Sequence, residues 1–67
     1  MTIIITTNDK IKEIERELKI RRRCYPTWVL QGRMTQSVAD KHIAIMETIL
    51  KDYQAILEKE NPQGKLL

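Results

Sequence analysis

Two stretches of the chain carry apolar residues at helical spacing, with a short connector between them. Ile11, Ile14, Leu18, Tyr25 and Trp28 recur at intervals of three and four once Arg21 is admitted to the empty slot. That spacing lines one face of a helix. The phase continues through Pro26, so the pattern predicts a single helix over 8–31, kinked where the proline ring removes a backbone donor and crowds the Arg22 carbonyl. A break at Tyr25, with Pro26 opening a short second helix, is the alternative. Thr7 or Asn8 is the expected N-cap, and Asp9 suits the positive helix end. Gly32 is expected to close the helix in the left-handed conformation.

A second helix is predicted over 35–60. Thr35 is its expected N-cap, with Met34 and Ala39 placed for a hydrophobic staple, and Ser37 with Asp40 forms a weaker, competing capping box. Ala39, Ile43, Met46, Leu50, Tyr53 and Leu57 make one apolar stripe. Val38, Ile45, Ile49 and Ile56 make a second stripe beside it. Glu47, Lys51, Gln54 and Glu58 mark the wet side, where Glu47 and Lys51 stand in the favourable i,i+4 order. Asn61-Pro62-Gln63-Gly64 stops the helix, and residues 61–67 read as a flexible tail. At the other end, residues 1–7 (MTIIITT) are almost all β-branched and read as an extended arm or short strand.

A short link between long helices makes an antiparallel hairpin. Centring the turn between Arg33 and Met34 sets Ile11 opposite Ile56, Ile14 opposite Tyr53 and Leu18 opposite Ile49. Arg21 then faces Met46, Tyr25 faces His42, and Trp28 faces Ala39. The expected fold class is therefore all-α: an antiparallel two-helix hairpin with a short extended N-terminal arm. Its seam covers only one stripe of the second helix, whereas two adjacent stripes exceed the roughly 100° apolar face of a surface helix. Dimerisation into a four-helix bundle is the economical way to cover the other stripe. A groove that receives a helix from a different protein is the alternative. Trp28, Val38, Ile45, Ile49 and Ile56 are the expected interface residues.

Composition narrows the choice. A chain of 67 residues allows one domain. At that size only about 60% of the unfolded surface is buried on folding, so a staple is needed. One Cys excludes an internal disulfide, and one Cys with one His does not make a zinc set. Oligomerisation is the staple that remains. No apolar run approaches the ~20 residues of a membrane span. The run Ile3–Ile5 has no basic residue before it and does not read as a signal peptide, so the default compartment is a reducing cytoplasm.

The formal net charge of +3 is unevenly placed. Lys19, Arg21, Arg22, Arg23 and Arg33 fall in a stretch without an acid, and both flanks are slightly acidic. Lys19, Arg22, Arg23 and Arg33 are the candidate contacts, either to an acidic protein surface or to nucleic-acid phosphates. Arg21 lies on the seam phase and is expected to snorkel toward Met46 and pair with Glu47. Cys24 reads as a small packing residue. His42 reads as a hydrogen-bond partner of Tyr25 or as exposed. A Cys24–His42 dyad would lack a water-excluding pocket, an orienting third group and oxyanion donors. No catalytic, cofactor-binding or metal-binding residue is assigned, and no small-molecule substrate is expected.

The stretch Glu17 to Ile49, ELKIRRRCYPTWVLQGRMTQSVADKHIAIMETI, resembles a pattern in short, uncharacterised phage and prophage proteins. That pattern is E-L-x-x-R-R-R-x-Y-P, then W-V-x-x-G, a basic residue, Met or Leu, Ser or Thr, and later A-x-x-x-I-A-x-M-E. It covers about half of the chain, and position 24 is often aliphatic in it. The resemblance implies an origin, and with it the cytoplasm of a bacterial host, but no mechanism. Gly32 to Ala39 also resembles the turn of small two-helix domains of the SHOCT kind. The order of arm, helix, Gly-basic turn and helix is that of ribbon-helix-helix DNA-binding dimers. Here, however, the first helix is too long, and the arm offers Thr2, Ile4 and Thr6 where DNA readers carry long polar or basic side chains. The expected function is that of a non-enzymatic helical binding module acting by protein–protein interaction, with a homo-oligomer or a host or phage protein as partner. A nucleic-acid-binding dimer using residues 19–33 is the alternative.

Overall fold

The computed structural model describes residues 2–60. Two helices, α1 (Thr7–Leu30) and α2 (Gln36–Glu60), pack side by side as a hairpin, and no strand occurs among the described residues. The all-α hairpin expected from the sequence is the fold observed. Residues 2–5 lead into α1 without regular structure, so the described part of the arm forms no strand. The predicted stop at 61–64 and the tail 61–67 lie outside the described residues.

The start of α1 is fixed by a reciprocal pair of bonds. The Asp9 amide donates to Thr6 Oγ1, and the Thr6 amide donates to Asp9 Oδ2, both at 3.0 Å. Thr6 itself is extended, at φ −95° and ψ 165°. This capping box satisfies two backbone donors at once. It places the cap one residue ahead of the expected Thr7 or Asn8, because Thr6 is the residue whose third successor is an acid able to return the bond. The backbone hydrogen bond from Thr6 holds the Asp9 carboxyl below the usual aspartate range.

Helix α1 continues unbroken through Pro26. Arg22 and Pro26 are both exposed, so the backbone bond that proline forbids is lost on the wet side of the helix. The helix closes at Gly32, with φ +74°. The Gly32 amide donates to the Val29 carbonyl at 3.0 Å and the Arg33 amide to the Trp28 carbonyl at 2.9 Å, which together make the Schellman closure. A Cβ built on Gly32 meets nothing within 4 Å, so the requirement for glycine lies in the backbone alone. Helix α2 opens with the Val38 amide donating to Thr35 Oγ1 at 3.2 Å, as expected of that cap. The competing box is not formed; Asp40 instead accepts from the Gln36 side-chain amide at 2.8 Å.

The seam is a single line of contact. Among the described residues Ile11, Leu18 and Ala39 are the buried ones, at 6%, 3% and 3% exposure. Ile14, Tyr25 and Trp28 of α1 are half-buried along it, as are Ile43, Met46, Leu50, Tyr53 and Leu57 of α2. Every member of the two predicted seam stripes is thus withdrawn from water. At the open end, Thr7 Oγ1 donates to Glu60 Oε2 at 2.8 Å, and these two residues are opposite each other in the predicted register. The radius of gyration is 15.4 Å, against about 11 Å for a globular chain of this length. The extents are 46 × 32 × 17 Å, and among the described residues the two helices form a slab one helix thick with no second layer over its faces.

Truncating the seam should be costly and truncating the wet face should not. Leu18→Ala should lower unfolding stability by about 2–5 kcal/mol, and Gln54→Ala should stay within about 0.5 kcal/mol, by chemical denaturation. Gly32→Ala should cost about 1–2 kcal/mol through its left-handed φ, while Gly32→Asn, which tolerates that region, should cost less. Equal losses for these two would point to a steric role instead.

Candidate interaction surfaces

The basic stretch divides between two places. Lys19, Arg22 and Arg23 stand at i, i+3 and i+4 and share one face of α1, and all three are exposed. Lys19 and Arg22 border an open groove whose floor is Leu18 and Leu50, and whose rims include Glu15, Glu47, Lys51 and Gln54. Arg22 Nη2 reaches across it to Glu47 Oε2 at 2.5 Å. Arg33 lies apart, beyond the helix end, with its guanidinium carbon 5.3 Å from the Trp28 ring centre. Trp28 in turn leans on Tyr25, with ring centres 5.6 Å apart and planes tilted by 39°.

Two expected ion pairs are corrected. Arg21 pairs with Glu17 and not with Glu47: Arg21 Nε lies 2.9 Å from Glu17 Oε1, with the side chains 28% and 36% exposed. The bond from Glu17 raises the affinity of the guanidinium for its proton, and Tyr25 adds to the effect. Glu to Arg at i,i+4 is a favourable helical pair, and the sequence carried this signal. Glu47 is consequently free for Arg22 and does not take Lys51. His42 is exposed, and Tyr25 interacts with Arg21.

The other flank of the hairpin carries the second apolar stripe of α2, with His42 and Asp52 set among its members. At about 100° per residue, Val38, Ile45, Ile49 and Ile56 lie roughly 100° around α2 from the seam, away from the charged groove. Val38, Ile45 and Ile56 are 42%, 44% and 42% exposed, and Ile49 is half-buried. Trp28 and Cys24 of α1, both half-buried, fall on the same side. The arm extends this face at the open end, where Ile3, Ile4 and Ile5 border a shallow groove with Ile14 and Tyr53. Ile3 and Ile4 remain 76% and 82% exposed. Lys10, which lines the same groove with Asp9 and Glu13, lies over Tyr53, its Nζ 5.4 Å from the ring centre.

Among the described residues no three His, Cys, Asp or Glu side chains come together as a metal site, and no helix is long and apolar enough to cross a membrane. No family model, curated protein or solved structure matches the chain. The geometry therefore offers two surfaces: a groove of mixed charge on one side and an apolar flank on the other.

The bridge across the groove joins two half-exposed side chains, and such pairs contribute about 0–1 kcal/mol. Arg22→Ala should accordingly lower stability by no more than about 1 kcal/mol, with a smaller difference in ~1 M salt, where screening acts over about 3 Å. A larger, salt-independent loss in thermal or urea unfolding would mean that the Arg22 stem packs on the seam.

Proposed function

We propose that this chain is a non-enzymatic helical interaction module of phage or prophage type, which works in the bacterial cytoplasm by docking protein on the apolar flank of α2. The observation that carries the reading is the exposure of Val38, Ile45 and Ile56, at 42%, 44% and 42%, in one line on a regular helix. Solvated apolar side chains in a contiguous row mark interaction surfaces. Here they flank a slab whose own core is three residues deep in burial. The sequence pattern from Glu17 to Ile49 supports the phage origin.

A second reading, contact with nucleic acid, draws on the shared face of Lys19, Arg22 and Arg23. Against it, Glu15 and Glu47 stand in the same groove and Arg22 is bonded to Glu47, which neutralises part of the field that phosphates would meet.

Two double variants separate these readings. Ile45→Asp with Ile56→Asp should leave the helical content unchanged and abolish association, whether scored by sedimentation or by capture from a bacterial lysate. Lys19→Glu with Arg23→Glu, which spares the Arg22–Glu47 bridge, should leave association intact. Loss of binding in the second pair only, with a steep linear fall in log salt, would overturn the apolar reading in favour of phosphate contact.

A further inference from the structure

We infer that the occupant of the apolar flank is a second copy of this chain, docked antiparallel along α2 about a two-fold axis that passes midway between Ile45 and Ile49; this rests on the reading of that flank as an interaction surface. The argument begins with the residues between its apolar members. Val38, His42, Ile45, Ile49, Asp52 and Ile56 follow one another at intervals of four, three, four, three and four, the spacing of a helix–helix contact line. The line runs about 27 Å at 1.5 Å per residue. It is set about 100° from the seam, as a helix at the corner of a four-helix bundle requires.

The line is also self-complementary. Turned end for end about the midpoint between Ile45 and Ile49, Val38 meets Ile56, Ile45 meets Ile49, and His42 meets Asp52, each pair occurring twice. Apolar side chains fall on apolar side chains, and the two polar positions form a donor–acceptor pair of opposite charge tendency. A two-fold interface demands this, because each residue of one copy must suit its mate on the other. A parallel pairing in register would set Asp52 against Asp52 and His42 against His42. His42 and Asp52 are both exposed in the single hairpin, so each is available to the other copy. The antiparallel arrangement further sets the N-terminal end of each α2 beside the C-terminal end of the other, where their dipoles attract.

Exchange of the polar pair tests the inference. The wild-type chain should have the mass of a dimer by sedimentation equilibrium at micromolar concentration. His42→Asp sets two carboxylates against each other at both ends and should weaken dimerisation by about tenfold or more. Asp52→His should weaken it less. The exchanged double variant, His42→Asp with Asp52→His, should return to within about threefold of wild type, since it rebuilds the pair with the partners reversed. Both positions are solvent-exposed in the hairpin, so circular dichroism should show its helices intact throughout. Failure of the exchange to restore association, or a trimer or larger assembly, would overturn the antiparallel two-fold. A monomeric wild type would overturn the second copy as occupant. If that monomer still captured a host protein and lost it on Ile45→Asp, the interaction surface would stand with a foreign occupant; if capture were untouched, the surface reading would fall as well.

Discussion

The whole structure depends on one line of apolar contact between two helices. In proteins most helical stability comes from tertiary packing of an apolar face. Ile11 and Leu18 of α1 and Ala39 of α2 are the residues closed off from water in this seam. Ala39 sits near the turn end, four residues into α2. Polar bonds lie at the ends and edges of the line: the Thr6–Asp9 box at the entry, the Gly32 closure at the turn, Thr7 with Glu60 at the open end. They set where the helices begin, stop and align. Burial along the seam supplies the reason to be helical at all.

That dependence explains why the two flanks differ. A seam between two helices has two sides, and a slab of this thickness covers neither. On one side the chain places Glu15, Lys19, Arg22, Glu47 and Lys51, whose charges are at ease in water and which cross-link weakly over the groove. On the other it places isoleucine and valine at regular intervals, together with an arm of three consecutive isoleucines. A chain built only to remain a soluble hairpin would have the same charged dressing on both sides. The asymmetry is the physical basis for assigning the apolar flank to a partner.

Much of this was legible in the sequence, because helical periodicity is a strong signal over stretches as long as these. The two seam stripes, the Gly32 closure, the Thr35 cap and the pairing of the ends all follow from spacing and turn chemistry. The side-chain pairings were less legible. Arg21 lies on the seam phase, and that phase suggested a cross-helix partner. Its near neighbour Glu17, one turn back on the same helix, needs no tertiary geometry to reach it and takes the bond. Once Arg21 is occupied, Glu47 is left for Arg22, so one local preference decides two longer-range contacts. The cap at Thr6 was missed because Thr6, Thr7 and Asn8 are all good capping residues. What separates them is the acid three positions on from Thr6. His42 and Asp52 were passed over in the second stripe because they are polar, although their spacing completes it.

The tight connection from Gly32 to Thr35 also shapes how the hairpin can form. Helices α1 and α2 are joined by a connector of few residues between Leu30 and Gln36, and each further step along the seam lengthens the closed loop only slightly. Loop-closure entropy grows slowly under such growth, and topologies dominated by near contacts fold fast. Closing the seam from the turn outward is therefore the order of least entropic cost, and the Thr7–Glu60 contact stands at its far end. The isoleucine arm hangs from that same end, so the least anchored turn of the molecule carries its most water-averse segment.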